Sequence, residues 1–268
     1  MKQLVIASRE SALALWQAEH IKSRLEALYP EITVSILGMT TQGDQILDKS
    51  LSKIGGKGLF VKELELALSE GRADIAVHSM KDVPTALPTG IVQAAVLERA
   101  NILDILVHNG NTDFLQSVAT IATGSLRRQA QWWNKYPKHT VVDLRGNVNT
   151  RMQKLKDNDW NGAIFAAAGL ERINLKPENY IDLDWMIPAP AQGAMVVVAM
   201  ANDNFTIDAV SQLNDIETEI CTHIERQFLK TLEGGCTAPI GAIANYNEQD
   251  DTIDFKGVLL SIDGQIGR

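Results

Sequence analysis

The sequence predicts an α/β protein with two strand–helix units and a small third unit of the α+β type. Short apolar runs alternate with helical spacing of apolar residues along most of the chain. Such alternation is typical of α/β layers with mainly parallel sheets. The length of 268 residues favours two such units over one. The end of the chain differs, because one long helical pattern is followed by two strand patterns.

The first unit opens with an apolar strand over residues 2–8. Ser11 has the character of a helix N-cap, and apolar residues then recur every three or four positions until Pro30 ends the helix. Gly71 is expected to close a second helix as its C-terminal cap. The other predicted elements are a strand over 33–37, a surface loop over 41–58, a helix over 58–70 and a strand over 73–78.

The second unit repeats this alternation, and the third unit follows it. The strands predicted after residue 100 cover 102–108, 120–123, 140–144, 163–167 and 193–200, with helices over 125–136 and 147–156. The tail is predicted to form one helix over 207–232 and antiparallel strands over 240–246 and 252–262.

Composition excludes several classes of protein. The net charge of −8 argues against a general nucleic-acid binder. No apolar stretch approaches a membrane span, and the N-terminal apolar run is too short for a signal peptide. Two cysteines form no disulfide framework and suggest no metal site, so a cytoplasmic protein is expected. An anionic ligand must therefore be held by a local cluster of cations.

Six arginines lie where strands pass into loops or helix starts. Ligands bind at the carboxyl ends of strands in open α/β sheets, and a guanidinium grips a carboxylate through two nitrogens. Separate surface arginines are the alternative, but six at strand ends favour an anion site. We interpret Arg24 and Arg226, in contrast, as solvated residues on helix faces. The six arginines are Arg9, Arg127, Arg128, Arg145, Arg151 and Arg172.

Asp82 and Cys236 are the other candidates for chemistry. Asp82 follows an apolar strand, and a carboxylate among cations can stabilise a developing positive charge or move a proton. The alternative is a turn aspartate before Pro84. Cys236 follows two glycines and lacks the apolar neighbours of Cys221, so we interpret it as a reactive thiol.

Two further features have plainer interpretations. His78 is expected to be a packed strand histidine and not a catalyst. The glycine-rich run 54–58 lacks the spacing of a phosphate-binding loop, and a lid carrying lysines and Phe60 is the better interpretation.

Seven short segments, taken in order, resemble the porphobilinogen deaminase (hydroxymethylbilane synthase) family. They span nearly the whole chain, and the ordered set is far more specific than any one of them. The segments are 6–11 (IASRES), 55–60 (GGKGLF), 78–84 (HSMKDVP), 124–128 (GSLRR), 144–147 (LRGN), 192–194 (QGA) and 233–236 (EGGC).

The resemblance implies a fold of two periplasmic-binding-protein-like α/β domains around a cleft, with a small α+β third domain. The implied boundaries are 1–98 with 194–212 for domain 1, 99–193 for domain 2 and 213–268 for domain 3. The third domain is expected to be short at its C-terminal end, without the last strand and helix of the family.

The resemblance also implies the chemistry. Cys236 would hold a dipyrromethane cofactor through a thioether, and four porphobilinogen molecules would be condensed head to tail onto it, with loss of ammonia. Asp82 would be the catalytic carboxylate that stabilises the azafulvene cation formed on deamination. No metal is expected, and the protein is expected to be a monomer.

The remaining site residues are likewise implied by the family's motifs. Cofactor binding is assigned to Cys236, Asp82, Ser11, Ser79, Lys81, Thr123, Ser125, Arg127, Arg128, Arg145 and Gln192. Substrate binding is assigned to Arg9, Phe60, Arg145, Arg151 and Arg172.

Two other hypotheses compete with this one. A non-catalytic two-domain binding protein for small polycarboxylates would explain the arginines, but it leaves Asp82 and Cys236 without a role and is expected to carry a secretion signal. An enzyme with a cysteine nucleophile would need a histidine paired with the cysteine, and no such pattern stands out.

Overall fold

The computed structural model describes residues 2–45, 58–232, 238–265 and 267. They form two five-stranded sheets, one two-stranded sheet and the helices that pack on them. The predicted α/β class is confirmed, with a small α+β part at the C-terminal end.

The first sheet is built from strands at both ends of the sequence. Its order is β2 (Ile32–Met39), β1 (Lys2–Arg9), β3 (Ile75–Ser79), β10 (Met195–Met200) and β4 (Ile91–Val96). Both faces are covered. Ile6 packs with Ile21 in one apolar cluster, and its neighbour Ala7 packs with Leu64 in another. The helices next to these strands in sequence are α1 (Ala12–Leu28), α2 (Gln42–Gln45), α3 (Lys62–Ser69) and α7 (Asn204–Ser211).

The second sheet is continuous in sequence. Its order is β7 (Thr140–Val142), β6 (Thr120–Ala122), β8 (Gly162–Ala166), β5 (Asp104–His108) and β9 (Tyr180–Asp182). Its helices are α4 (Leu126–Lys135), α5 (Val148–Asp157) and α6 (Ala167–Arg172). Ser125 and Asn147 cap α4 and α5 with their side-chain oxygens, as their positions before the two predicted helices lead us to expect.

The prediction of mainly parallel sheets is wrong. Each sheet has two parallel and two antiparallel pairings, because β10 lies antiparallel between β3 and β4, and β5 lies antiparallel between β8 and β9. Central strands buried on both faces are apolar throughout in either orientation. Their composition therefore does not report the direction of their neighbours.

The prediction of one helix over 207–232 is also wrong. The segment contains the end of α7 and all of α8 (Ile216–Thr231), separated by a short break. Asp215 caps α8 by accepting a hydrogen bond from the Thr218 N–H. Asn214 accepts one from the Val96 N–H at 2.7 Å, which fixes the break against β4.

The third sheet pairs β11 (Ile240–Asn247) with β12 (Thr252–Leu259) in the predicted antiparallel arrangement. Helix α8 packs against β11. Four helices and strands were not predicted from the sequence, namely β4, β9, α6 and α2, the last of which lies in the predicted surface loop 41–58. The strand β9 has only three residues and none is buried, so it carries little hydrophobic pattern.

Candidate active site

A cavity of about 410 Å³ lies between the two larger sheets. Arg9 is the last residue of β1, Lys81 and Asp82 follow β3, and Phe165 and Ala166 end β8; all five line the cavity. The cleft thus opens at the carboxyl ends of strands from both sheets, where α/β proteins bind ligands. Its volume falls in the usual range of small-molecule sites.

Basic side chains outnumber acidic ones around this cavity by six to three. Burial, together with repulsion from Arg128, lowers the pKa of Lys81 to about 8. Burial likewise lowers the pKa of Arg151 and of Arg172 to about 10. A ligand with several carboxylates would relieve this crowding of charge. The bases are Arg9, Lys81, Arg128, Arg145, Arg151 and Arg172, and the acids are Glu10, Asp44 and Asp82.

Asp82 lies exposed to the cleft in a single turn of 3-10 helix, Met80–Asp82, that directly follows β3. The Met80 N–H donates to Ala194 O at 3.0 Å, and Gln17 Nε2 donates to Ser79 Oγ at 2.8 Å. His78 is buried in β3 as predicted, and burial lowers its pKa to about 4, so the ring is neutral.

The interpretation of Arg226 as a solvated residue is wrong. Its guanidinium donates hydrogen bonds to the carbonyl oxygens of Met80, Val83 and Pro84. The spacing of apolar residues in α8 shows only that Arg226 lies outside the apolar face of the helix. It does not show that the face carrying Arg226 packs against the turn that contains Asp82. Arg24, in contrast, is exposed on α1 as predicted.

Asp104, which sequence reasoning missed, organises the second-sheet side. Its carboxylate binds Arg127 Nη1 at 2.6 Å and Arg128 Nε at 2.9 Å. Burial alone would raise the pKa of Asp104, but the two guanidiniums outweigh it and hold that pKa well below its usual range. The sequence feature that could have revealed Asp104 is the presence of an acidic residue in the otherwise apolar run 102–107.

Gln192 connects this cluster to the first sheet. Its Nε2 donates to Asp104 Oδ1 at 3.0 Å, and its Oε1 accepts from Lys81 Nζ at 3.2 Å. Gln192 and Arg127 are buried and are not among the residues that line the cavity. Thr123 and Ser125 do not line the cavity either, whereas Ser11 and Ser79 do.

Two further arginines that line the cavity, Arg151 and Arg172, are held by backbone carbonyls. Arg151 Nε donates to Gly146 O at 2.7 Å, and Arg172 Nη2 donates to Gly193 O at 2.7 Å. Burial lowers the pKa of Arg145, which lines the cavity beside Gly146. A guanidinium has five N–H donors on three nitrogens, and each of these backbone contacts uses only one nitrogen, so donors on the other two can reach a ligand.

Arg9 pairs with Asp44, a second residue that sequence reasoning missed. Asp44 Oδ2 accepts from Arg9 Nε at 3.0 Å and from Thr41 Oγ1 at 2.7 Å. Phe60 lies over the Arg9 guanidinium, 4.4 Å from ring centroid to Cζ. Burial would raise the pKa of Asp44, but the hydrogen bonds from Arg9 and Thr41 lower it.

Two predicted features lie outside the described residues. They are Cys236 and the glycine-rich segment 54–57. Helix α8 ends at Thr231, shortly before Cys236, and β11 begins at Ile240, shortly after it. The other cysteine, Cys221, is buried in α8 as predicted.

Two α/β lobes around a charged cleft define a bilobal ligand-binding architecture. The methionine-binding protein MetQ has a similar fold, with a TM-score of 0.51 and 14% identity over 87% of this chain and 96% of that one. No helix of the described segments is long and apolar enough to cross a membrane.

The sequence relationships are far closer and identify the family. The family model "Porphobilinogen deaminase, dipyromethane cofactor binding domain" matches residues 4–208, and "Porphobilinogen deaminase, C-terminal domain" matches 219–268. A porphobilinogen deaminase from Chromobacterium violaceum is 49% identical over 99% of this chain and 87% of its own length. One from Methylobacillus flagellatus is 49% identical over 98% and 86%. The chain belongs to the porphobilinogen deaminase family.

Proposed function

We propose that this protein condenses four porphobilinogen molecules head to tail into hydroxymethylbilane, with release of four molecules of ammonia. The observation that carries the proposal is a cleft lined by six cations together with the exposed carboxylate of Asp82. Porphobilinogen carries two carboxylates and a leaving amine. A growing chain therefore needs many cations and one carboxylate that tolerates a developing positive charge.

The residues of the cleft fit a dipyrromethane cofactor. Its two linked pyrroles carry four carboxylates, which match the excess of basic groups at the wall. Lys81, Arg128 and Arg145 would hold these carboxylates, and Cys236 would form the thioether. When bound, the cofactor supplies the free pyrrole carbon to which the first porphobilinogen is joined. We place Arg127, Thr123, Ser125 and Gln192 behind this layer, where they support Lys81 and Arg128.

Asp82 would act on the reacting pyrrole. Loss of ammonia from the protonated aminomethyl group leaves a cation that a nearby carboxylate stabilises. The methylene carbon then bonds to the free α-carbon of the acceptor pyrrole, and that carbon gives up its proton. Asp82 would accept this proton and later return it. After four additions, Asp82 would return a proton to the cofactor carbon that holds the chain, water would supply a hydroxyl group to the freed methylene carbon, and hydroxymethylbilane would leave.

The arginines would hold the incoming and growing chain. We assign substrate carboxylates to Arg9, Arg145, Arg151 and Arg172, which line the cavity on both of its sides. Phe60 would pack against an incoming pyrrole, and Ser11 and Ser79 would complete the polar lining. Carboxylates gripped in fixed positions orient the aminomethyl carbon towards the acceptor.

Four further proposals concern the protein as a whole. We propose the domain boundaries 1–98 with 194–212, 99–193 and 213–268, which agree with the membership of the three sheets. We propose that the protein needs no metal, because the chemistry above uses only carboxylate, ammonium and guanidinium groups. We also propose that it is a monomer, because a single chain lines the cleft with all the groups named above. We propose a cytoplasmic location, because two cysteines suit a reducing compartment. Elemental analysis and light scattering of the purified protein test the second and third proposals.

Intact-mass measurement combined with an assay on porphobilinogen tests the function. We expect wild-type protein to carry the additional mass of two linked pyrroles and to release ammonia with formation of hydroxymethylbilane. Cys236→Ser should lose both the added mass and the activity, whereas Cys221→Ser, which changes the buried cysteine of α8, should keep both. An unmodified but fully active wild-type protein would contradict the cofactor assignment. A wild-type protein that does not consume porphobilinogen would contradict the function.

A further inference from the structure

The turn that carries Asp82 is bound from behind by a residue of α8. Arg226 Nη1 donates to Met80 O at 3.2 Å and to Val83 O at 2.9 Å, and Arg226 Nη2 donates to Pro84 O at 2.6 Å. These three carbonyls flank Asp82 on both sides in sequence. One planar guanidinium therefore fixes the backbone of the whole turn while leaving the Asp82 side chain exposed to the cleft.

The neighbouring residue, Glu225, fixes the base from which Arg226 reaches the turn. Its buried carboxylate binds Arg99 through both oxygens, at 2.6 and 2.9 Å. It also accepts hydrogen bonds from the backbone N–H groups of Ala191 and Ala244, at 2.6 and 2.8 Å. Helix α8 is thus anchored to the segment between the two large sheets and to β11, and Arg226 extends from a fixed position.

Val83 packs its side chain into the apolar cluster beside the first sheet, and the other backbone hydrogen bonds of the turn involve Met80 at its start. The Met80 N–H bonds to Ala194 O, and the Val83 N–H closes the turn onto Met80 O at 3.2 Å. Val83 O and Pro84 O lie after Asp82, and Arg226 supplies hydrogen bonds to both. Without Arg226 these two carbonyls would lose their hydrogen bonds to the guanidinium. The backbone of Val83 and Pro84 would then be free to shift, and Asp82 with it.

We infer that Arg226 is a positioning residue, which sets the place of the Asp82 carboxylate through the backbone of residues 80–84. The inference rests on the proposed function, because it assumes that Asp82 acts on the reacting pyrrole.

Steady-state kinetics on porphobilinogen with cofactor-loaded enzyme test the inference. We expect Arg226→Met to lower kcat by about 10- to 100-fold, because a shift of about 1 Å in a catalytic group has an effect of this size. KM should change by less than about two-fold. Intact mass should show that the cofactor is retained. Arg226→Lys keeps the charge and one donor but not the planar fork, and we expect its kcat to lie between those of wild type and Arg226→Met. Lys230→Met removes an exposed cation from the same helix and should leave kcat unchanged.

A double-mutant cycle separates positioning from general stability. The Asp82→Asn variant turns over slowly, so its residual rate is measured over hours. If Arg226 acts through the Asp82 carboxylate, adding Arg226→Met to this variant should lower that rate by less than about two-fold. The same fold-loss in both backgrounds would overturn the inference, as would an unchanged kcat in Arg226→Met. If the Met variant fails to fold, Arg226→Lys enters the cycle in its place. A wild-type protein with no activity on porphobilinogen would instead contradict the proposed function itself.

Discussion

The carboxylate of Asp44 binds the guanidinium of Arg9 at the wall of the cleft, where Phe60 covers the same guanidinium. Both members of the pair are partly exposed, at 22% for Arg9 and 23% for Asp44. The Asp44 carboxylate is therefore already paired with a guanidinium that we assign to the substrate. A substrate carboxylate must displace Asp44 from Arg9, or bind the guanidinium together with Asp44.

We predict that Asp44→Asn lowers the KM for porphobilinogen. A partly exposed ion pair contributes up to about 1 kcal/mol, which corresponds to a decrease of about two- to five-fold. Glu10→Gln is the matched control, because it removes the same charge from the cavity wall without touching Arg9. An equal decrease in both variants would mean that general charge, and not the pair with Arg9, sets the effect.

Asp82→Asn should abolish most of the turnover without unfolding the protein. The amide keeps the shape of the side chain but cannot accept a proton or balance a cation, so we expect kcat to fall by about 10²- to 10⁴-fold. Thermal unfolding should stay close to wild type, because the side chain is exposed to the cleft. Asp208→Asn on the exposed face of α7 serves as the control. A near-normal kcat in Asp82→Asn would remove the residue from the mechanism.

Asp104→Asn should destabilise the fold strongly. The substitution leaves Arg127 and Arg128 buried without a full counter-charge, and breaking a buried pair typically costs about 3–5 kcal/mol of unfolding free energy. Urea denaturation at neutral pH measures this loss. A change below about 1 kcal/mol would contradict the structural role given to the pair.

The same residue predicts how stability depends on pH. The folded-state pKa of Asp104 lies below its unfolded value, so its contribution is fully present at neutral pH and is lost as the pH falls below about 4. Wild type should therefore lose more unfolding free energy between pH 5 and 3 than Asp104→Asn does. Parallel stability profiles for the two proteins would show that Asp104 titrates normally.

Lys81 should make uptake of the cofactor sensitive to alkaline pH. In the protein without cofactor its ammonium has a pKa lowered to about 8 and loses its charge as the pH rises through that value. Uptake of the cofactor by wild-type apoprotein, followed by intact mass, should exceed that of Lys81→Gln at pH 7, and this advantage should shrink between pH 7 and 9. Lys62→Gln, an exposed lysine of α3, is the control for other effects of pH. An identical pH profile of uptake in wild type and Lys81→Gln would contradict this assignment.

Local features of the fold were predictable because their causes lie within a few residues. Ser11, Ser125 and Asn147 cap helices through contacts three residues away, and all three helices begin where the sequence indicates. The order of the strands was not predictable in this way. β10 enters the first sheet only after the chain has passed through the second sheet, and nothing in its uniformly apolar sequence indicates which strands it pairs with.

The sequence by itself determined the family and most of the chemical groups, because ordered motifs identify a lineage and arginines at strand ends indicate an anion site. Only the tertiary structure decided which groups face the cleft and which support it. Arg127 is drawn behind the wall by Asp104, and Arg226 holds a turn 146 residues before it in sequence. Hydrogen bonds over such separations depend on how the layers pack, and packing brings together residues that no local pattern connects.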